Sequence, residues 1–266
     1  MKNFLKKNYN FKNKNILITG GLGNIGYKLS KILYNENANL IITDNIKNKL
    51  KLKNKLTFFK NKNKIKYYDC DLSSSTEKKK IFKDIRKNHK IIDVLINNAA
   101  LTGDRFEKLE THFEKQNSKI WSKELDVNLI SVVEIIQNLK KNILNSKKPS
   151  IINLSSIYGI KKPQFQIYKN TNLNNQIGYS VSKAGIIQLT KWFSAYLAPK
   201  IRVNCITPGG IKRAQSKKFI ESYSKLTLLN RMATEEDVIS GILFLASESS
   251  KYITGQNIII DGGWSA

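Results

Sequence analysis

Asn15-Ile16-Leu17-Ile18-Thr19-Gly20-Gly21-Leu22-Gly23-Asn24-Ile25-Gly26 is the stretch that decides the fold. A short apolar run passes directly into glycines at 20, 23 and 26, and from Ile25 to Asn35 apolar residues recur every three or four positions, as in a helix with one buried face. Glycine, lacking Cβ, permits a tight turn and lets a pyrophosphate approach the backbone; the helix that follows offers unpaired N–H groups at the positive end of its dipole. A glycine cluster alone can be no more than a tight turn. Between a strand and a helix it predicts phosphate binding over Gly20, Gly23, Asn24, Ile25 and Gly26.

Further apolar runs follow at Asn39 to Thr43, Lys64 to Tyr68, Asp93 to Ile96, Ser150 to Leu154, Arg202 to Ile206 and Asn257 to Ile260. Amphipathic stretches lie between them at Glu77 to Asn88, Trp121 to Leu144, Tyr179 to Leu197 and Glu235 to Ser247. This alternation predicts an α/β fold: a Rossmann-type, doubly wound, seven-stranded parallel sheet with helices on both faces. With 266 residues, 41% of them hydrophobic, the chain reads as one domain over 15–266 behind a basic extension, 1–14. Lys47 to Lys64, rich in Lys, Asn and Leu, reads equally as helix or loop. Leu101 to Lys119 and Gly159 to Ile177 break the alternation. Both leave the carboxyl ends of strands, where open α/β sheets bind ligands, so they are candidates for substrate contact as well as for tolerated insertions.

Asp44 ends the second strand. A carboxylate there accepts hydrogen bonds from the adenosine ribose hydroxyls and repels a 2′-phosphate, favouring NAD(H) over NADP(H), a preference that nearby Lys47 weakens. Tyr179-Ser180-Val181-Ser182-Lys183 opens an amphipathic helix, and the four-residue spacing sets phenol and ammonium on one face. A free phenol titrates near 10; a neighbouring ammonium favours the phenolate, a physical reason for lysine at that spacing.

These features occur in one order along nearly the whole chain, and in that order the chain resembles the short-chain dehydrogenases/reductases, in their single-domain branch. The glycine turn is followed by Asp71 and Leu72 after the third strand, where the resemblance implies adenine contact, and by Asn97-Asn98-Ala99-Ala100 after the fourth, similar to the family's cofactor-lining segment. Asn128 matches the helix asparagine that holds a water in a proton relay to the lysine. Ser156, second of the serines closing the fifth strand, matches the catalytic serine. Pro208-Gly209, with Ile211, falls near the nicotinamide, and Asp261-Gly262-Gly263 resembles the C-terminal segment. The implied mechanism has Tyr179 exchanging a proton with a substrate hydroxyl or carbonyl, Ser156 bonding the same oxygen, Lys183 binding the nicotinamide ribose, and a hydride passing to or from NAD(H).

Three departures stand out. Asn24 occupies a position where the single-domain branch has glycine, and the 20, 23, 26 spacing resembles that of sugar-nucleotide epimerases. Arg213 stands where relatives often place a threonine on the nicotinamide carboxamide. Ser156 and Tyr179 are more widely separated than is usual, and the insertion, including Gln164, Phe165 and Tyr168, is polar, basic and aromatic. With Gly210 these are the substrate candidates, suited to a hydroxyl-rich or anionic ligand rather than a sterol. Together with Ser155-Ser156-Ile157-Tyr158-Gly159, the insertion resembles flagellin-modification and surface-sugar oxidoreductases of nonulosonic acid type.

Lys and Arg total 46 against 20 Asp and Glu, a net charge of +26, but only five of the 46 are Arg. Nucleic-acid sites favour Arg, so a lysine excess spread along the chain reads as solvated surface rather than a nucleic-acid footprint. Cys70 and Cys205 lack metal-ligand spacing and read as buried thiols, with no metal expected. No apolar run is long enough to cross a membrane, and residues 1–14 lack the apolar core of a secretory signal, so a cytoplasmic location is expected. Three functions compete: an NAD(H)-dependent oxidoreductase at a secondary alcohol or ketone of a sugar, sugar phosphate or nucleotide sugar; a 3-oxoacyl-carrier-protein reductase; and a dinucleotide-binding regulator without turnover. The resemblance also implies a homodimer or homotetramer paired through the helices around Asn128 and Tyr179.

Overall fold

The computed structural model describes residues 8–102, 114, 118–169 and 175–266. Seven strands form one sheet: β1 (Asn15–Thr19), β2 (Asn39–Asp44), β3 (Ile65–Asp69), β4 (Val94–Asn97), β5 (Ser150–Leu154), β6 (Arg202–Pro208) and β7 (Asn257–Ile260). Their order is β3-β2-β1-β4-β5-β6-β7 and every pairing is parallel. The chain reverses its direction of travel across the sheet between β1 and β4, which opens a crevice at the carboxyl ends of these strands.

Successive strand residues point to opposite faces, and here both faces are covered, which is why the strands read as unbroken apolar runs. Leu17, Ile41, Leu95, Ile151 and Val203 share one core with α3 (Ser75–Asn88), α5 (Ser131–Leu144) and α6 (Ile177–Leu197), through Phe82, Ile135, Leu139, Ile186 and Phe193. Ile16, Ile18, Ile42, Ile96, Ile152 and Ile206 point the other way, onto α1 (Asn24–Asn35) and α8 (Glu235–Ala246), through Leu29, Leu33, Val238, Ile242 and Leu245. A third, smaller cluster joins Ile167, Phe219, Tyr223 and Met232, with Tyr168 and Trp264 packed on it.

The open reading of Lys47 to Lys64 resolves as a short helix, α2 (Lys49–Leu56), started by Asn48, whose side chain accepts the Lys51 N–H at 2.9 Å. A further helix that the periodicity does not predict, α7 (Lys217–Ser224), is started by Ser216 and buries only Phe219 and Tyr223. The expected single helix from Trp121 to Leu144 is instead α4 (Ser118–Leu125), a π-helical turn at Asp126–Ile130, and α5. A π turn inserts one extra residue into the helical path and re-aims the side chains it carries, Asn128 among them. Most of Leu101 to Lys119, and residues 1–7 and 170–174, lie outside the described residues.

Candidate active site

The β1–α1 turn is built so that only glycine fits at two positions. Gly20 has φ +60°, and a Cβ there would lie 2.9 Å from the Ala99 Cα; a Cβ on Gly26 would lie 2.1 Å from the Gly20 carbonyl oxygen. A Cβ on Gly23 meets nothing closer than that same oxygen at 3.2 Å, so the outer side of the turn is open to a ligand. Asn98 and Ala99 hold the turn from β4: the Asn98 side-chain amide donates to the Thr19 and Gly20 carbonyls at 3.0 and 2.9 Å. Both backbone N–H groups donate to the Thr19 hydroxyl at 3.1 and 3.0 Å. The side chain of Asn98 therefore shapes the cradle.

Asp44 closes the other side. Its carboxylate accepts the Leu22 N–H at 2.8 Å through Oδ2 and the Asn45 N–H at 2.8 Å through Oδ1, which leaves each oxygen lone-pair capacity for ribose hydroxyls. Lys55 of α2, a residue the sequence reading missed, donates to the Leu22 carbonyl beside it; burial lowers its pKa, the Lys51 ammonium adds to this, and Asp44 opposes. Asp71 accepts the Ser73 N–H and hydroxyl at 2.9 and 2.7 Å. Burial pushes the Asp71 carboxyl up, but these hydrogen bonds and the charges of Lys123 and Lys47 hold it below its ordinary value. The Leu72 side chain belongs to the core. An open glycine turn, an uncapped helix start and a carboxylate at the end of β2 together fit a dinucleotide.

Helix α6 carries Tyr179 and Lys183. Lys183 is 2% exposed, its Nζ donates to the Leu154 carbonyl at 2.8 Å and lies 5.7 Å from the centroid of the Tyr179 ring, and burial lowers its pKa to about 8. A cation there favours the phenolate of its neighbour. Ser156 follows directly after β5, is buried, and its hydroxyl accepts the Tyr158 N–H at 3.4 Å, starting a 3-10 turn over Ile157–Gly159. Ser155 donates to the Lys183 carbonyl at 2.7 Å, and a Cβ on Gly159 would lie 2.7 Å from that carbonyl, so β5 and the turn are seated against α6 at Lys183. The structure thus gathers Ser156, Tyr179 and Lys183 at one end of β5.

Asn128 is buried and fully engaged. Its Oδ1 accepts the Leu101 N–H at 2.7 Å, and its Nδ2 donates to the Leu101 carbonyl at 3.0 Å and to the Ser182 hydroxyl at 3.1 Å. Ser182 in turn donates to the Tyr179 carbonyl at 2.7 Å, so the side chain ties the chain after β4 to α6. Glu124 of α4, unnoticed in the sequence, is fully buried against Gly178, and burial pushes its carboxyl up to about 7 while the Tyr179 amide opposes. Apolar periodicity gave no signal for either contact.

Past β6, the Gly209 N–H donates to the Ile260 carbonyl at 2.8 Å and Ile211 pairs with Ala233, which fixes the chain after Pro208. The Gly210 N–H is taken by the Tyr223 hydroxyl at 2.5 Å. Of the insertion's candidates, Tyr168 turns inward: its hydroxyl meets that of Tyr158 and its ring packs on Phe219 at 5.7 Å, and burial raises its pKa. Phe165 is 59% exposed and Gln164 partly so. Tyr158 and Tyr223 flank Trp264, whose ring stacks on Tyr223, so an aromatic wall stands beside Ser156.

The family model described as enoyl-(acyl carrier protein) reductase matches residues 21–265. The chain is 30% identical over 254 residues to post-translational flagellin modification protein A of Campylobacter coli, covering 95% of this chain and 98% of that one. It is 32% identical over 256 residues to a 3-oxoacyl-(acyl-carrier-protein) reductase of Thermotoga maritima, covering 93% and 96%. The crystal structure of a short-chain dehydrogenase from Leptospira borgpetersenii with bound NAD+ superposes with a TM-score of 0.84 at 35% identity, covering 100% of this chain and 97% of that one. With a seven-stranded parallel sheet, a glycine turn at its switch point, and serine, tyrosine and lysine converging beside it, the chain belongs to the short-chain dehydrogenase/reductase family of oxidoreductases.

Proposed function

We propose that the protein is an NAD(H)-dependent oxidoreductase acting at a secondary alcohol or ketone of a sugar, sugar phosphate or nucleotide sugar. The observation that carries the chemistry is Lys183, buried, charged against its own desolvation and aligned with the Tyr179 ring on α6, next to Ser156. Tyr179 transfers the proton at the substrate oxygen, Ser156 bonds that oxygen, and Lys183 favours the phenolate and reaches the ribose. Asn128, its side chain engaged by Leu101 and Ser182, serves to hold α6 in place rather than to bind a relay water itself. NAD(H), when bound, supplies the hydride acceptor or donor. Gly20, Gly23, Asn24, Ile25 and Gly26 would hold its phosphates, Asp44 the adenosine ribose, Asp71 and Leu72 the adenine, and Ala99, Ala100, Pro208, Gly209 and Ile211 the nicotinamide half.

The sugar reading draws on the exposed part of the polar and aromatic insertion, Gln164 and Phe165, and on the flagellin-modification relative; Tyr168 and Gly210, the other substrate candidates, are instead engaged by Tyr158 and Tyr223. A second reading, 3-oxoacyl thioester reduction, draws on the Thermotoga relative and the family model. Assaying the purified protein with NADH and NADPH against keto-sugars, nucleotide sugars and 3-oxoacyl thioesters separates them. Turnover of thioesters alone, with NADPH preferred, would overturn the sugar reading.

The same reading places the protein in the cytoplasm as a homodimer or homotetramer. No described helix is long and apolar enough to cross a membrane. On the outer face of α5 and α6, Trp192 and Tyr196 are 55% and 58% exposed and stacked at 5.0 Å, beside Val133, Ile136 and Leu189. A monomer by light scattering at micromolar concentration would refute this pairing.

A further inference from the structure

Two of the three departures from the family's sequence pattern meet each other in space. Asn24 is the first residue of α1, and Arg213 lies in the chain after β6, yet the Arg213 Nε and Nη1 lie 3.2 and 3.3 Å from the Asn24 side chain once its amide presents the oxygen to them. We propose that Arg213, held by Asn24, is a clasp over the cofactor's pyrophosphate, binding it in addition to the backbone of the glycine turn. The inference rests on the dinucleotide reading of that turn.

Four observations converge on it. First, α1 has no side-chain cap at its N-cap residue, Gly23, and its first turn contains no acidic residue, so no side chain of that turn satisfies the helix-start N–H groups. Second, both the Arg213 backbone and its guanidinium have protein partners. Nε also reaches Glu235 at 3.4 Å, the Arg213 N–H donates to Gln215 Oε1 at 2.6 Å, Gln215 donates back to the Ile211 carbonyl at 2.9 Å, and Lys212 N–H bonds the Ala233 carbonyl at 2.8 Å. Third, these contacts use Nε and Nη1, leaving Nη2 without a partner among the described residues, while the side chain is 43% exposed.

The fourth is the rarity of arginine. In a chain with five Arg among 46 basic residues, Arg202 donates to Ser250, Ile253, Leu245 and Ser247, and Arg231 makes a two-pronged pair with Asp237. Both use the planar fork, which lysine cannot reproduce. At Arg213 the fork is only partly occupied by the protein, and its position at the start of α1 puts the remainder beside the place where a pyrophosphate meets the helix dipole. Such an arrangement ties two parts of the site together, since Asn24 belongs to the glycine turn after β1 and Arg213 to the chain after β6.

The test is equilibrium binding of NADH, ADP-ribose and adenosine to the wild type, Arg213→Ala and Arg213→Lys, read by fluorescence or calorimetry. Loss of a charge-assisted contact is expected to weaken NADH and ADP-ribose about 10- to 100-fold in Arg213→Ala, with partial recovery in Arg213→Lys and adenosine unchanged. NADH and ADP-ribose bound by Arg213→Ala as tightly as by the wild type, or adenosine weakened in parallel with them, would overturn the clasp. A wild type that binds neither NADH nor NADPH would overturn the cofactor reading, and the clasp with it.

Discussion

Lys183→Met is expected to abolish turnover while making the ligand-free protein more stable at neutral pH. The ammonium is almost completely buried, with the Leu154 carbonyl as its hydrogen-bond acceptor. Burial lowers its pKa from 10.5 to about 8, and a difference of about 2.5 units corresponds to about 3 kcal/mol by which the fold disfavours the charged form. Below pH 8 the group is charged both folded and unfolded, so the whole penalty is present. Between pH 8 and 10.5 the unfolded chain holds the proton and the folded one does not, so wild-type stability rises with pH; above 10.5 the penalty is gone. At pH 7 the variant escapes this penalty of about 3 kcal/mol, in which the hydrogen bond to Leu154 is already included. Urea unfolding of both proteins at pH 7 and pH 10 measures this. The variant should be the more stable at pH 7, and the wild type should gain roughly 2 to 3 kcal/mol on it by pH 10. A difference that stays constant between the two pH values would refute the buried, strained ammonium.

Tyr179→Phe removes the proton donor alone, so kcat should fall about 100- to 10,000-fold while the NADH dissociation constant stays within about twofold, measured by steady-state kinetics and fluorescence titration. Asp44→Ala removes the charge facing the ribose, and the ratio of kcat/KM for NADPH over NADH should rise at least about tenfold; an unchanged ratio would remove Asp44 from cofactor choice. Gly26→Ala forces a methyl group to within 2.1 Å of the Gly20 carbonyl oxygen, and should cost about 2 to 4 kcal/mol in thermal or urea unfolding together with NADH binding.

The residues legible in advance were those whose chemistry depends on local spacing. Tyr179 and Lys183 are one helical turn apart whatever surrounds them, and a strand running into Gly20, Gly23 and Gly26 needs no tertiary information to suggest a phosphate-binding turn. The resemblance added Ser156, Asn128 and Asp71 by their order in the chain. Less legible was the break at Asp126–Ile130, because a π turn leaves the apolar periodicity of α4 and α5 almost intact. α7 was missed because only Phe219 and Tyr223 of its eight residues are buried, too few to set a period.

The sequence by itself determined the layer order. Apolar runs of strand length separated by helical periods allow few alternatives to a parallel sheet covered on both faces, since each face must be buried. Only the tertiary structure decided which polar groups meet: Asn98 with the glycine turn, Asn128 with Leu101 and Ser182, Lys55 with Leu22, and Arg213 with Asn24. The physical reason is range. Burial of apolar faces is non-directional and leaves a repeating imprint on the sequence, whereas a hydrogen bond needs two particular atoms about 3 Å apart, and no periodicity records which distant residue supplies the second.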